Sequence, residues 1–160
     1  MRVLFDTNVV LDVLLEREPH AHAAAQLMSL VDGGQIEGYL CATTVTTVHY
    51  LAAKALGPKR AASLVATLLD LFQIAPVDRE VVAGALDLGF ADFEDAVIHE
   101  AAVLAEASAI VSRNGGDFKG SRIPVFDPTE MLAAVCASEA LALAGEAAET
   151  YAVALSESAK

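Results

Sequence analysis

Short apolar segments alternate along the chain with longer segments of helical periodicity. The apolar segments lie near residues 3–5, 39–42, 73–77, 109–111 and 124–126, and turn-forming or helix-capping residues follow each of them. Between them, apolar residues recur at the spacing of amphipathic helices. Short apolar strands that alternate with helices are typical of a parallel sheet whose two faces are both covered. The sequence therefore predicts an α/β protein with three layers, α/β/α, around a short parallel sheet.

The length and a shift in composition divide the chain into a domain and a tail. The 160 residues suffice for one domain with a buried core. Asp127 and Pro128 begin the last predicted helix, as N-cap and first helical residue. After Val135 the chain is rich in alanine and glutamate. We expect one domain at 1–135, followed by a helical or flexible tail at 136–160.

The charge of the chain restricts how it can meet nucleic acid. Ten Lys and Arg residues stand against twenty-two Asp and Glu residues, which gives a formal net charge of −12. Such a chain repels polyanions at long range, so a protein that coats DNA or RNA is disfavoured. A local site that reaches nucleic acid through bound metal ions remains compatible with this charge.

The distribution of polar residues predicts a cytoplasmic protein without a membrane span. Asp6 stands where a secretory signal peptide would need an apolar residue. Charged residues, glycine or proline interrupt the apolar runs before they reach the length of a membrane-spanning helix. Cys41 and Cys136 lack the spacing of a metal site, which suits reduced thiols in a cytosol.

Aspartates recur where the predicted strands end. Asp6 follows the first strand, and Asp117 follows the strand at 109–111. Asp92 and Asp95 begin the helix that leads into that strand, three residues apart and so on one face. Parallel strands collect ligands at their carboxyl ends, and clustered carboxylates suit Mg²⁺ or Mn²⁺. We expect Asp6, Asp95 and Asp117 to be metal ligands and Asp92 to be a fourth acid of the site.

Each of these acids also has an ordinary structural interpretation. An aspartate directly after a strand is often a helix cap, which is an alternative role for Asp6. Asp92 and Asp95 could serve the dipole of their helix, and Asp117 could be a turn residue. Their joint position at one edge of the sheet favours a site.

Three segments carry a resemblance to a known family. They read Val-Leu-Phe-Asp-Thr-Asn at 3–8, Asp-Phe-Glu-Asp-Ala at 92–96, and Ile-Val-Ser-Arg-Asn-Gly-Gly-Asp-Phe at 110–118. In this order and spacing, over about residues 1–133, the chain resembles the PIN domains, including the ribonuclease toxins of bacterial toxin–antitoxin pairs. The resemblance implies a metal-dependent endoribonuclease on an α/β fold, active on RNA with Mg²⁺ or Mn²⁺. It also implies a homodimer and a small cognate antitoxin as partner.

The resemblance also assigns roles to the site residues. Asp6 matches the first acid of the family and Asp95 the acid of the long helix, with Asp92 one turn earlier. Asn114 stands after Ser-Arg where many members have an acid, and Asp117 is the acid before Phe118. Further polar residues are expected to position substrate or ions, with Arg113 neutralising substrate charge: Asn8, Thr44, His49, Ser112, Arg113 and Asn114.

One departure from the family pattern concerns the helix after the second strand. Many of these ribonucleases carry a glutamate there, and its place falls on or near His49, with no acid between Ala42 and Tyr50. His49 could bind a softer metal, contact phosphate or fill space. Because the segment before His49 leads from the carboxyl end of a strand, we expect His49 at the edge of the site.

Two other functions compete with the ribonuclease. A PIN fold that has lost its second acid could serve as an inactive binding or dimerisation module. A phosphatase with Asp6 as nucleophile fits less well, because position 8 is Asn where such enzymes usually need an acid. No glycine-rich phosphate loop and no nucleophile elbow occurs in the sequence.

Overall fold

In the computed structural model, residues 1–158 contain five short strands and seven α-helices. The structure describes the backbone of residues 1–158 and the side chains of residues 1–150. The strands are β1 (Arg2–Phe5), β2 (Glu37–Cys41), β3 (Gln73–Ala75), β4 (Ala109–Val111) and β5 (Val125–Phe126). The helices are α1 (Thr7–Leu14), α2 (His20–Asp32), α3 (Ala42–Leu56), α4 (Pro58–Leu71), α5 (Arg79–Leu88), α6 (Phe93–Leu104) and α7 (Pro128–Ser158). A 3₁₀ turn spans Gly115–Phe118.

The five strands make one wholly parallel sheet in the order β3-β2-β1-β4-β5. β1 is central, and Phe5 pairs with Leu40 on one side and with Val111 on the other. The chain builds outward from β1 in both directions, so the strand order reverses between β1 and β4. Ligands of open parallel sheets bind at such a reversal, beyond the carboxyl ends of the strands. Asp6 is the residue that leaves β1 at this point.

Alternate residues of β1 supply the two layers of core. Val3 and Phe5 pack with α1, α2, α3, α4 and α7 on one face, where the rings of Phe5 and Phe72 lie 5.0 Å apart edge to face. Leu4 and Ile110 pack with α5 and α6 on the other face. All four side chains are fully buried. The predicted three-layer α/β/α architecture is therefore confirmed.

Helix α7 begins in the core and then leaves it. Met131 and Val135 are buried against the domain, whereas Leu141 and Leu143 are 76% and 67% exposed. From Pro128 to Thr150 this helix is long and apolar enough to cross a membrane. Its most apolar stretch has a mean hydropathy of 1.5 and is 11% buried. The sequence had led us to expect apolar runs too short for this. One such helix alone is weak evidence for a membrane span.

Most element boundaries differ from the predicted ones by only a few residues, and the differences have local causes. The long helix α6 begins at Phe93, because Asp92 is its N-cap and accepts a hydrogen bond from the amide of Glu94. It ends at Leu104 rather than near Ala107, since Glu106 adopts a positive φ of 54° that ends the helix. Part of the loop predicted after β4 winds into the 3₁₀ turn.

Gly38 provides a test of how closely the helices pack on the sheet. A Cβ atom at this buried position of β2 would lie 2.7 Å from the ring of Phe72 and 2.8 Å from Val31. We expect Gly38→Ala to lower the free energy of unfolding by about 1–3 kcal/mol, because the core must shift to admit a methyl group. Urea denaturation measures the loss. Gly145→Ala is the control, since nothing lies within 4 Å of its added Cβ and alanine favours the helix; an equal loss in both variants would contradict this packing.

Candidate metal-binding site

Asp6 is held rigidly at the carboxyl end of β1. Its Oδ1 accepts a hydrogen bond of 2.6 Å from the amide of Thr7, so the residue does cap α1. Its Oδ2 accepts two more hydrogen bonds, each of 2.6 Å, from the side-chain Nδ2 of Asn8 and from the hydroxyl of Ser112. Burial raises the pKa of Asp6 above its ordinary value, while the hydrogen bonds from Ser112, Thr7 and Asn8 oppose that rise. Capping and site formation are thus compatible roles for one carboxylate.

Asn8 and Ser112 join the first turn of α1 to the loop that follows β4. The side-chain oxygen of Asn8 accepts a hydrogen bond of 3.2 Å from the amide of Arg113. The hydroxyl of Ser112 accepts one of 3.1 Å from the amide of Asn114. Asn8 and Ser112 therefore fix the start of α1 and this loop against each other and against Asp6.

A pocket of about 210 Å³ opens beside Asp6, and five acidic side chains border it. Two are the expected aspartates of α6 and its N-cap, and a third is Asp117 from the 3₁₀ turn. Thr7, Asn8 and Asn114 line the same pocket, together with one cation, Arg17. The full acidic set is Asp6, Asp92, Glu94, Asp95 and Asp117.

Mutual repulsion is strong among these carboxylates. The pKa of Asp95 rises from 3.8 to about 7, first because burial disfavours its charged form and then because Asp6, Asp92, Asp117 and Glu94 carry the same charge. A carboxyl group with such a pKa is partly protonated at neutral pH. A cation in the pocket would relieve the repulsion and favour full ionisation.

The donor set suits a hard divalent cation. Carboxylate and amide oxygens are the ligands that Mg²⁺ and Mn²⁺ prefer. Among the residues that the structure describes, no three His, Cys, Asp or Glu side chains are gathered closely enough to hold a metal ion. Asp92, Glu94 and Asp117 are exposed, so their side chains can change rotamer to approach an ion, whereas Asp6 is fixed.

Two threonines of helix α3 contact residues that line the pocket. The hydroxyl of Thr44 is buried and lies 3.0 Å from that of Thr7. One turn later, Thr47 donates a hydrogen bond of 3.2 Å to Glu94. His49 is exposed and is not among the residues that line the pocket. Two residues further along a helix is about 200° around its axis, which carries His49 away from the face that bears Thr47.

Two arginines are placed differently from what the sequence indicated. The guanidinium of Arg113 lies 2.8 Å from the buried carboxylate of Asp12, and Arg113 lines a neighbouring cavity rather than the acidic pocket. Arg17 lines the acidic pocket instead, a position that the sequence did not predict. Arg113 lies at the neighbouring cavity because the buried charge of Asp12 holds its side chain, and its role in neutralising substrate charge stays a prediction.

Glu94 was also missed as a pocket residue. Glu94 lies between the two aspartates that the spacing argument selected, and a glutamate in the first turn of a helix is usually assigned to the helix dipole. Its side chain reaches Thr47, which could not be inferred before the packing of α3 on α6 was known. For Arg17 the sequence gives no signal, since it lies in the loop between α1 and α2.

The raised pKa of Asp95 predicts how the stability of the metal-free protein depends on pH. The unfolded chain ionises this carboxyl near pH 3.8 and the folded protein near pH 7, so the extra proton stabilises the fold at low pH. That contribution is fully present only below about pH 3.8 and is lost progressively as the pH rises through about 7. In EDTA, Asp95→Asn should therefore raise the urea midpoint more at about pH 8 than at about pH 5. The exposed Asp87→Asn is the control; a midpoint that shifts equally at both pH values would contradict the repulsion among the acids.

Comparisons with known proteins agree with this geometry. The model of the PIN domain family PIN_3 matches residues 2–115. Among curated protein sequences, none matches this chain significantly. The structure of FitAcB from Neisseria gonorrhoeae is 27% identical, with a TM-score of 0.60 over 79% of this chain and 97% of that one.

More distant structures share the fold. VapBC2 from Rickettsia felis, bound to a DNA fragment from its promoter, is 14% identical, with a TM-score of 0.63 over 79% of this chain and 98% of that one. VapC20 from Mycobacterium tuberculosis, a toxin that cleaves the sarcin-ricin loop, is 11% identical, with a TM-score of 0.60 over 74% and 94% of the two chains. The family model spans well over half of the chain, and the matched residues include Asp6 and Asp95. The chain belongs to the PIN domain family.

Proposed function

We propose that this PIN domain is a metal-dependent endoribonuclease and the toxin of a toxin–antitoxin pair. The observation that carries the proposal is the pocket of five acids at the point where the strand order reverses. The similar structures include toxin–antitoxin complexes and a toxin named for cleavage of the sarcin-ricin loop, which supports the same reaction and partner. RNA is the substrate in this proposal.

The chain's own residues would share the work as follows. Asp6, Asp95 and Asp117 would hold Mg²⁺ or Mn²⁺, and Asp92 and Glu94 would complete the negative wall of the pocket. A bound divalent cation would activate a water and stabilise the charge that develops on the phosphoryl oxygens. Asp6 supplies a fixed ligand, because three donors orient its carboxylate.

Polar side chains around the aspartates would bind and orient the substrate. Asn114 lines the pocket and can donate to a phosphate oxygen. Arg17 is the cation at the rim, where it offsets the repulsion between RNA and the acidic wall. Asn8 lines the pocket and orients Asp6, whereas Ser112 and Thr44 act behind the pocket, because their hydroxyls are engaged with Asp6 and with Thr7.

Further expectations belong to the same proposal. A protein antitoxin is the partner that a similar toxin–antitoxin complex suggests. The homodimer that the family resemblance implies and the cytoplasmic location that the sequence indicates stay predictions. The tail at 136–160 is helical as far as Ser158, and its separation from the domain at 1–135 also stays a prediction.

A specific observation favours an alternative function. The face of α3 that approaches the pocket presents Thr47, a neutral side chain, beside Glu94. A site that lacks the glutamate found on this helix in many PIN ribonucleases would bind Mg²⁺ less tightly. The fold could then serve as a binding or dimerisation module without cleavage. Metal binding and RNA cleavage, measured on the same preparation, distinguish the two functions.

Asp6→Asn tests the ribonuclease directly. Loss of this fixed anionic ligand should reduce Mn²⁺-dependent cleavage of single-stranded RNA by at least about a thousandfold. The fold should remain intact, because asparagine keeps the shape of the side chain and relieves repulsion. Cleavage is followed by gel electrophoresis, with Asp87→Asn as a matched control on the exposed face of α5. Equal activity in Asp6→Asn and the native protein would assign cleavage to another site or a contaminant.

The phase of α3 predicts where an added carboxylate would join the site. Thr47→Glu should tighten Mg²⁺ binding by about tenfold, because an anionic oxygen then stands beside Glu94 and the aspartates. His49→Glu adds the same charge two residues further along and should leave the affinity unchanged, since His49 is exposed outside the pocket. Isothermal titration of both variants decides the matter. Tighter binding in His49→Glu than in Thr47→Glu would return His49 to the site.

A further inference from the structure

We propose that a second cavity beside the acidic pocket binds the phosphate of a nucleotide that flanks the scissile bond of the RNA, and that the guanidinium of Arg113 is its main donor. The inference rests on the proposed function and extends it. The cavity measures about 240 Å³ and is bordered by Pro19, His20, Arg113, Asp127 and Thr129.

The same two loops border the cavity and the acidic pocket. In the loop after β4, Arg113 lines the cavity and the next residue, Asn114, lines the pocket. In the loop between α1 and α2, Arg17 lines the pocket and Pro19 lines the cavity. In this proposal, one phosphodiester of the RNA lies at the aspartates and a flanking phosphate lies in the cavity on the other side of these loops.

A buried carboxylate holds Arg113 in place. The side chain of Asp12 is fully buried on α1, and Arg113 Nε lies 2.8 Å from its Oδ2. Neither Asp12 oxygen nor Arg113 Nε has a partner with hydrogen-bond geometry, so the contact is an ion pair that is not directed along an N–H bond. A buried charge is costly unless a counter-ion compensates it. Asp12 thus fixes the guanidinium at the wall of the cavity.

The remaining donors of Arg113 are unused within the protein. Its Nε is buried, yet 28% of the side chain is exposed. Among the described side chains, no hydrogen-bond acceptor engages the terminal nitrogens of Arg113. These nitrogens carry four of the five N–H groups of the planar guanidinium fork, which matches two oxygens of a phosphate. A fixed guanidinium with free donors is preorganised for such a ligand.

Basic side chains gather near the cavity. Arg113, His20 and Arg17 act on the carboxylate of Asp12 and oppose the rise in its pKa that burial causes. Asp127 is the acid at the cavity wall, and its Oδ1 is engaged by the amides of Thr129 and Glu130 at 2.7 and 2.9 Å. Arg113 and Arg17 are matched in number by Asp12 and Asp127, so the free N–H groups of Arg113, rather than a net positive charge, would bind the phosphate.

The test is the binding of a fluorescein-labelled single-stranded RNA of mixed sequence, measured by anisotropy in Mn²⁺. The Asp6→Asn background prevents cleavage during the titration. Adding Arg113→Gln should weaken binding about tenfold. The slope of log Kd against log salt should fall by about 0.7, the value for one phosphate contact on a single strand. In the native background, Arg113→Gln should raise KM with little change in kcat.

Controls separate loss of a ligand contact from loss of structure. Arg2→Gln removes an arginine that is also ion-paired but lies at the amino end of β1, away from the carboxyl ends of the strands. This variant should leave Kd and the salt slope unchanged. Asp12→Asn combined with Arg113→Gln leaves no buried charge without a counter-ion and should bind RNA as weakly as Arg113→Gln alone. Native affinity and native salt slope in that double variant would overturn the inference.

The outcomes also separate this inference from the proposed function. If the native protein cleaves RNA in Mn²⁺ and Asp6→Asn does not, the ribonuclease stands whatever Arg113 does. If Arg113→Gln then leaves KM, Kd and salt slope unchanged, the cavity does not bind the flanking phosphate and the inference alone fails. If no cleavage occurs at all, the proposed function fails, while the anisotropy still decides whether the cavity holds RNA.

Discussion

The carboxylate of Asp6 and the three donors around it form the interaction on which the site depends. Asp6 must be buried because it follows the central strand, and a buried carboxylate is stable only when its oxygens are satisfied. The amide of Thr7, the side chain of Asn8 and the hydroxyl of Ser112 satisfy them. Since Ser112 leaves the neighbouring strand β4, the same hydrogen bonds join the two strand ends across which the order of the sheet reverses. Fold and site are therefore fixed by one set of contacts.

Around this fixed carboxylate, the other acids repel one another. Asp95 shows the cost, with a pKa raised to about 7. Natural proteins keep such unfavourable arrangements mainly where function needs them. Thr47 on α3 avoids adding another charge, and Arg17 at the rim supplies a positive one. The pocket is thus poised to gain stability from a divalent cation.

The sequence predicts the architecture well because strand and helix periodicities differ clearly and both faces of the sheet are covered. It also brings Asp6, Asp95 and Asp117 to one edge, since that follows from parallel strands alone. It could not place His49, because an error of two residues in the phase of a helix moves a side chain to the opposite face. Nor could it direct Arg113, whose orientation depends on the burial of Asp12, a residue that looks like an ordinary polar position of an amphipathic helix.

In the proposed function, the acidic pocket binds a divalent cation between Asp6 and the acids of α6. The most direct measurement is a crystal structure of the protein soaked in Mn²⁺, with anomalous diffraction collected to locate the ion. We expect an anomalous peak within coordination distance of Asp6 and Asp95, roughly 2–2.5 Å from their carboxylate oxygens. Crystals with an open pocket, in which Mn²⁺ binds elsewhere or not at all while Asp6 keeps its three hydrogen bonds, would contradict it.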